Sequence, residues 1–224
     1  MSQKFESLPG LNLPLRTIYC IGRNYAEHAK ELQNPLPSEP VVFLKPASAA
    51  CGSGAEVVLP SQSTRVDHEV ELVVAIGREG KKIPAETAMA YVAGFAVGID
   101  FTARDLQEAA KKKSLPWTVA KGFDTFAPIS HFIPASDIAP HADFRIALEV
   151  NGERKQSVNT SEMLFSVPTL IAYLSTIFTL RPGDVIFTGT PAGVSPVHAG
   201  DRIHASLQAG EQHAALDVRI KSES

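Results

Sequence analysis

The clearest pattern of hydrophobic and polar positions lies in residues 66–76, an apolar segment that contains two glutamates two residues apart. Successive side chains of a β-strand point to opposite faces, so Glu69 and Glu71 are predicted to project side by side. The other face is predicted to be apolar and consists of Val70, Leu72, Val74 and Ile76. Two like charges on neighbouring sites repel and are costly to bury, so this pattern indicates a cation between them.

Short apolar segments bounded by Gly, Pro or Asn predict further strands. These strands cover residues 16–21, 41–45, 56–59, 91–99, 144–150, 184–191, 202–207 and 214–220. Asn151-Gly152 separates two alternating segments, which is the strongest short signal for a two-residue hairpin turn. Segment 91–99 is apolar throughout, as expected for a strand buried on both faces, and it places Asp100 at its end.

Helical signals are fewer and shorter than strand signals. They predict helices over residues 25–33, 84–89, 103–113 and 168–179. Three of these helices begin at predicted capping residues, which are Asn24, Thr102 and Ser166. Residues 120–124, which include Lys121, are predicted to form a loop.

The order of these elements favours a β-rich α+β fold with mixed sheets over a doubly wound α/β fold. A chain of 224 residues is long enough for one substantial core, and no change in composition indicates a linker. We therefore predict an N-terminal extension over residues 1–15 and a single domain over residues 16–224.

Composition and charge narrow the possible partners. Hydrophobic residues make up 44% of the chain and charged residues 20%, which is ordinary for a soluble globular protein. The formal net charge of −3 gives no electrostatic reason to expect nucleic acid or an anionic membrane as a partner. The basic run Lys111-Lys112-Lys113 is interpreted as the solvated end of a helix, where cations complement the helix dipole.

Cysteine usage and the absence of targeting signals bear on the compartment. Cys20 and Cys51 have no partner at CxxC spacing, which argues against a disulfide framework and a cysteine-built zinc site. The first ten residues lack the features of a signal peptide, and no apolar stretch is long enough to span a bilayer. The expected compartment is the cytoplasm.

Three carboxylates form the main candidate site. Glu69, Glu71 and Asp100 lie on or after predicted strands, and carboxylate oxygens are hard ligands suited to Mg²⁺ or Mn²⁺. With one dication the cluster is still negative, so Arg104 and Lys121 are candidates to offset the charge that remains. The ligand is then predicted to be a small oxyanion, such as a 2-oxo acid that chelates the metal. The alternative is structural, with the carboxylates forming buried salt bridges to Arg104 and Lys121.

Five ordered motifs, spread over nearly the whole chain, carry a resemblance to a known family. They are Gly22-Arg23-Asn24-Tyr25 with His28 and Glu31, Asp67-His68-Glu69-Val70-Glu71-Leu72, Gly98-Ile99-Asp100 with Thr102-Ala103-Arg104-Asp105 and Gln107, Lys121-Gly122-Phe123-Asp124, and Thr188-Gly189-Thr190-Pro191-Ala192-Gly193-Val194. Together they resemble the fumarylacetoacetate hydrolase family. The similarity is strongest to its short single-domain members, the acylpyruvases and oxaloacetate decarboxylases.

The resemblance implies a mixed β-sandwich roll of the C-terminal-domain type, usually a homodimer. It implies that Mg²⁺ or Mn²⁺ is held by Glu69, Glu71 and Asp100. It also implies that His28 and Glu31 are catalytic residues on a lid and that Lys121 is a third catalytic residue. The implied substrate-binding positions are Arg23, Asn24, Arg104, Gln107 and Thr190.

The leading hypothesis is hydrolysis of a carbon–carbon bond in an acylpyruvate, such as acetylpyruvate or fumarylpyruvate, to pyruvate and a carboxylic acid. The metal would act as a Lewis acid on the 2-keto oxygen. His28, oriented by Glu31, would activate water, while Lys121 and Arg104 stabilise negative charge. The alternative is decarboxylation or keto–enol tautomerisation of oxaloacetate, because both reactions share the same enolate. Outside the enzymes, the alternative is a non-catalytic, metal-dependent binder of 2-oxo acids.

Overall fold

The structure is a computed structural model that describes residues 7–27, 36–139 and 142–223. Its strands are β1 Ile18–Gly22, β2 Val41–Lys45, β3 Ala50–Cys51, β4 Glu56–Leu59, β5 Val66–His68, β6 Val70–Ile76, β7 Val92–Ile99, β8 Thr102–Ala103, β9 Ala127–Pro128, β10 Ile133–Pro134, β11 Phe144–Val150, β12 Glu153–Asn159, β13 Val185–Phe187, β14 Ser195–Pro196, β15 Arg202–Ala209 and β16 Gln212–Ser222. Its α-helices are α1 Arg104–Lys112, α2 Thr118–Lys121 and α3 Val167–Ile177. Short 3₁₀ helices cover Ala47–Ala49, Ala85–Tyr91, Ala135–Asp137 and Thr160–Glu162.

Two mixed sheets form the body of the protein. The six-stranded sheet has the order β10-β7-β6-β13-β1-β2, and the five-stranded sheet has the order β12-β11-β15-β16-β4. Most neighbours are antiparallel, but β1 runs parallel to β13 and β16 runs parallel to β4. Smaller sheets join β14-β5-β8 and β3-β9. The predicted β-rich α+β class with mixed sheets is confirmed.

Strand β6 separates two apolar cores, because its alternate side chains are buried on opposite faces of the six-stranded sheet. Leu72, Val74 and Ile76 belong to the larger core, which extends to the five-stranded sheet. Val73 and Ala75 belong to a smaller core on the other face. Full burial of a valine, leucine or isoleucine stabilises the fold by about 1.5–3 kcal/mol. The register of β6 is therefore strongly fixed. This fixes the position of Glu71 within the strand and of Glu69 directly before it.

The predicted hairpin is confirmed, because β11 and β12 pair in antiparallel around Asn151 and Gly152. Both turn residues have left-handed backbone conformations, with φ values of 53° and 84°. A type I′ turn requires φ above zero at both central positions, which Asn and Gly tolerate. Strand β12 is thereby placed so that Gln156 can reach the loop that follows β13.

Three predictions about local structure are wrong in detail. The predicted strand 66–76 is interrupted at Glu69, because β5 pairs with β8 and β14 whereas β6 pairs with β7 and β13. Thr102 does not cap α1, since it lies in β8 and its hydroxyl donates to the Asp100 carbonyl. Lys121 ends the short helix α2 instead of lying in a loop.

Two further predicted segments are only partly described or lie at the edge of the domain. Of the predicted helix 25–33, the described part shows helical structure at residues 26 and 27. Within the predicted N-terminal extension, Leu8 is fully buried in the smaller core, and Phe132 donates its backbone N–H to the Pro9 carbonyl. Residues 7–15 therefore pack against the body of the domain.

Candidate active site

The three predicted carboxylates lie together where β6 begins and β7 ends. These strands are antiparallel neighbours with Glu71 opposite Gly98, and the Asp100 N–H donates to the Glu69 carbonyl at 2.8 Å. Each carboxylate offers an oxygen within 4.8 Å of an oxygen of the other two. All three residues are buried. Residues far apart in the sequence are thus gathered into one acidic cluster by a single strand pairing.

Lys121 bridges two members of this cluster. Its ammonium donates to Glu69 Oε2 at 2.8 Å and to Asp100 Oδ2 at 2.6 Å. Burial opposes the charge of Lys121, but attraction by Asp100 and Glu69 outweighs it and raises the pKa of the lysine. Lys121 is therefore charged at neutral pH and holds the two carboxylates in place.

Arg104, at the start of α1, holds Glu69 from the other side. Its guanidinium donates to Asp67 Oδ2 at 2.8 Å, to Glu69 Oε1, and to Gln107 Oε1 at 2.7 Å. Asp67 in turn forms a bidentate pair with Arg65. Such fork-shaped, charge-assisted contacts fix the geometry of a carboxylate. Arg104 thus positions Glu69 as well as facing the cleft.

Lys45 is part of the site but was not predicted from the sequence. Its fully buried ammonium donates to the carbonyls of Phe101, Phe126 and Lys121. The nitrogen also lies 2.7 Å from Asp100 Oδ1. Lys45 ends the apolar strand β2, and a charged residue at the end of an apolar strand is the same signal that identified Asp100.

Glu71 is the member of the cluster that these cations do not pair with. Among the described residues, no lysine or arginine lies within ion-pair distance of Glu71, and Asp100 Oδ1 receives no hydrogen bond. The three protons of Lys45 are directed at carbonyls, so its ammonium pairs with Asp100 Oδ1 through charge and not through a hydrogen bond. Burial, followed by repulsion from Asp100 and Glu69, raises the pKa of Glu71 well above its ordinary range.

This arrangement bears on both interpretations of the carboxylates. The buried ion pairs of the structural alternative are present for Glu69 and for both oxygens of Asp100. Among the described residues, they leave Glu71 without a cationic partner. A hard dication would supply the missing charge at oxygen ligands of the type that Mg²⁺ and Mn²⁺ bind. The side chains present therefore fit such an ion.

The turn after β13 links Glu71 to the substrate side of the site. Gly189 donates its N–H to Glu71 Oε2 at 2.6 Å and has a φ of +100°. A Cβ at this position would lie 2.6 Å from Cβ of Asn24. Glycine is thus required by both conformation and space. Thr190 follows directly and lines the cleft.

A chain of buried hydrogen bonds determines that the Thr190 hydroxyl accepts a hydrogen bond from Gln156. Gln156 Oε1 accepts from the Val70 N–H at 3.0 Å, so its Nε2 is the donor to Thr190 Oγ1 at 2.9 Å and to the Pro191 carbonyl at 3.0 Å. His68 Nδ1 lies 3.0 Å from Gln156 Oε1 and must donate to it, while His68 Nε2 faces Ser195 Oγ at 2.8 Å. Because Thr190 Oγ1 accepts from Gln156, its own proton is available for a ligand.

Gln156→Leu is expected to lower the free energy of unfolding by about 1–3 kcal/mol, because the buried Val70 N–H and Pro191 carbonyl lose their partner. Urea denaturation measures this change. The matched control is Gln212→Leu at an exposed position of β16, for which we expect a change within about 0.5 kcal/mol. Equal effects of the two substitutions would contradict the assigned network.

A narrow cleft lies beside these groups. Eight residues predicted for the site line it, namely Arg23, Glu69, Glu71, Asp100, Arg104, Gln107, Lys121 and Thr190. Phe43, Lys111 and Trp117 also line it and were not predicted for the site. Lys111 lies in the last turn of α1, as the sequence predicted, but its side chain is half-buried and is thus less solvated than those of Lys112 and Lys113. His28 and Glu31 lie outside the described residues.

Asn24 has a different place from the one predicted. Its amide donates to the carbonyls of Phe165 at 3.0 Å and Thr188 at 2.7 Å, and its oxygen accepts from the Phe165 N–H at 2.7 Å. The side chain is fully buried. Both amide protons are used by the backbone, so Asn24 joins the loop before α3 to the turn after β13 and is not placed to bind substrate.

The sequence of this chain is similar to those of known enzymes. The profile of the fumarylacetoacetate (FAA) hydrolase C-terminal family matches residues 17–220. The chain is 49% identical over 209 residues to the mitochondrial oxaloacetate tautomerase FAHD1 of Rattus norvegicus, covering 93% of this chain and 92% of that protein. It is 46% identical over 210 residues to the mitochondrial oxaloacetate decarboxylase of Dictyostelium discoideum, covering 93% and 96%.

A solved structure is similar over the full length. The fumarylpyruvate hydrolase of Pseudomonas aeruginosa, crystallised with Mn²⁺ and pyruvate, matches with a TM-score of 0.89 and 39% identity. The match covers 100% of this chain and 99% of that chain. In the described part of the chain, no helix is both long and apolar enough to cross a membrane.

Proposed function

Since this chain belongs to the fumarylacetoacetate hydrolase family, we propose that it is a divalent-metal-dependent enzyme that catalyses the keto–enol tautomerisation of oxaloacetate. The observation that carries the proposal is the buried cluster of Glu69, Glu71 and Asp100, in which Glu71 has no lysine or arginine partner among the described residues. The two relatives described above that are named for tautomerisation or decarboxylation of oxaloacetate are 49% and 46% identical, against 39% for the fumarylpyruvate hydrolase. We therefore place tautomerisation ahead of the acylpyruvate hydrolysis that the sequence alone suggested.

The metal would be held by the three carboxylates and, when bound, would polarise the 2-keto group of the substrate. Neither Mg²⁺ nor Mn²⁺ is favoured by these oxygen ligands alone, and we propose that either ion serves. The homodimer and the cytoplasmic location remain predictions from the sequence. They do not affect the chemistry proposed for the cleft.

The residues around the carboxylates present hydrogen-bond donors to an anion. Arg104 has donors only, so the Gln107 atom that it contacts is the oxygen, and the Gln107 amide protons remain for a ligand. The Thr190 hydroxyl keeps its proton for the same reason. Gln107 and Thr190 are proposed to orient the substrate carboxylate. Tautomerisation to the enol removes a proton from C3 and adds one to the 2-keto oxygen, by exchange with water. The charged Lys121 is proposed to stabilise the negative charge on that oxygen between the two proton transfers.

Hydrolysis of acylpyruvates is the second candidate. It is favoured by the fumarylpyruvate hydrolase structure that holds Mn²⁺ and pyruvate. It needs in addition a base that activates water, and His28 oriented by Glu31 is the proposed base. Decarboxylation of oxaloacetate needs no attacking water, so the two reactions differ in their demand on His28.

The test is a substrate panel with the Mn²⁺-loaded and Mg²⁺-loaded protein. Tautomerisation of oxaloacetate is followed by ultraviolet absorbance of the enol, and pyruvate release is followed with oxaloacetate, acetylpyruvate and fumarylpyruvate. We expect kcat/KM for tautomerisation to exceed that for pyruvate release from every substrate. Faster release of pyruvate from an acylpyruvate would replace tautomerisation by the second candidate. Activity that persists unchanged after the metal is chelated would contradict both.

A further inference from the structure

One wall of the cleft is aromatic and has a lysine at each end. The rings of Phe43 and Trp117 meet edge to face with centroids 5.6 Å apart. The Lys121 ammonium lies 4.9 Å from the centroid of Phe43, and the Lys111 ammonium lies 5.5 Å from the centroid of Trp117. The Lys121 end of the wall adjoins the carboxylate cluster. Lys111 lines the same cleft.

The two lysines differ in their partners. Lys121 is paired with Glu69 and Asp100. Lys111 is half-buried, and within residues 7–27, 36–139 and 142–223 no carboxylate lies at ion-pair distance from it. Burial, followed by repulsion from Arg104 and Arg23, lowers the pKa of Lys111. Lys111 therefore lies near other positive charges, and no carboxylate of the described residues forms an ion pair with it.

Arg23 adds to this positive region. It lines the cleft, and it forms no ion pair within the described residues. Its φ is +60°, in a region that residues other than glycine seldom adopt. Such strain is typical of positions held for function.

From this arrangement we propose that Lys111, supported by the Trp117 ring and assisted by Arg23, binds the distal carboxylate of a dicarboxylic 2-oxo acid. The proposal rests on the proposed function, since it takes the carboxylate cluster as the end of the cleft that receives the 2-oxo acid group. Arg23 and Lys111 both line the cleft, and neither is paired with a carboxylate among the described residues. These two unpaired positive charges offer a place for a second carboxylate of the substrate.

A simpler account is that Lys111 lays its methylene stem along Trp117 and keeps its ammonium in water. This account predicts equal effects of a Lys111 substitution on all ligands. The distal carboxylate site predicts an effect only on ligands that carry a second carboxylate. A matched pair of ligands therefore separates the two accounts.

The experiment uses calorimetry on the Mn²⁺-loaded full chain with difluorooxaloacetate and difluoropyruvate, which share the 2-oxo acid group and differ in the distal carboxylate. Lys111→Met is expected to weaken binding of difluorooxaloacetate about 10-fold or more, the loss of one charged contact, and to change difluoropyruvate binding by less than about twofold. Lys111→Arg is expected to retain most of the affinity for difluorooxaloacetate. Lys112→Met, on the exposed neighbour, is the control and should change neither.

Equal loss of affinity for both ligands, or no loss for either, would overturn the proposed site, as would binding of neither ligand by the wild-type protein. Failure of the proposed function has a different signature. A wild-type protein that does not tautomerise oxaloacetate, yet loses affinity for difluorooxaloacetate selectively on Lys111→Met, would retain the distal carboxylate site and lose the tautomerase assignment.

Discussion

Glu69→Gln is expected to weaken Mn²⁺ binding by about 100-fold or more and to remove turnover with it. Loss of a ligand should cost at least as much as loss of a residue that only orients a ligand, which is about 10–100-fold. Glutamine preserves the shape of the side chain but removes the charge that Arg104 and Lys121 contact. Titration with Mn²⁺, followed by electron paramagnetic resonance of the free ion, measures the affinity.

The control for this substitution is Glu79→Gln, because the Glu79 side chain is 66% exposed. It should leave Mn²⁺ affinity and activity unchanged. Circular dichroism of Glu69→Gln checks that the variant is folded. A folded variant that binds Mn²⁺ as tightly as the wild type would show that Glu69 is not a ligand.

Lys45→Met is expected to lower the free energy of unfolding of the metal-free protein by about 3–5 kcal/mol, the cost of breaking a buried ion pair from one side. The lysine side chain has no exposed surface, and its ammonium contacts three carbonyls as well as Asp100. Methionine would leave those carbonyls buried without donors. Guanidinium denaturation in the presence of a chelator measures the difference.

The matched control is Lys221→Met, which removes a surface ion pair with Glu56 at 3.3 Å. Exposed pairs of this kind contribute about 0–1 kcal/mol, so a change in that range is expected. If Lys45→Met were no more destabilising than Lys221→Met, the buried lysine would not have the structural role assigned to it.

The sequence was sufficient to predict the acidic cluster, because its signals are local. Alternation along β6 placed Glu71 on the face opposite Leu72, and the apolar strand β7 delivered Asp100 at its end. These patterns follow from the two-residue period of a strand and from the cost of burying charge. The charge that one dication would leave on the cluster then indicated Arg104 and Lys121 as counter-charges, and the structure places both against Glu69.

Other parts of the site depend on contacts between distant residues and could not be predicted in this way. Lys45 meets Phe126 across 81 positions of the chain, and Gln156 meets Val70 across 86. Gln156 lies in a strand whose pattern gives no sign that its amide is buried. Lys111 sits in a run of three lysines, and only the packing of Trp117 distinguishes it from its neighbours. Local periodicity contains no information about such partners.

The break of the predicted strand at Glu69 has a related cause. Val66–His68 and Val70–Ile76 are hydrogen-bonded to different sheets, and this change of partner occurs where the cluster forms. The pattern of residues 66–76 is typical of one strand and does not reveal that its two halves will join different sheets. The glutamate at the junction remains beside Glu71 even though the ladder does not continue through it.

Calorimetric titration of the wild-type protein with oxalate, with and without Mn²⁺, tests the central claim most directly. Oxalate resembles the 2-oxo acid group and does not react, so it reports on the metal and the cleft without chemistry. We expect oxalate to bind only when Mn²⁺ is present and chelation of the metal to abolish the binding. Equal affinity for oxalate with and without Mn²⁺, or no binding in either condition, would contradict it.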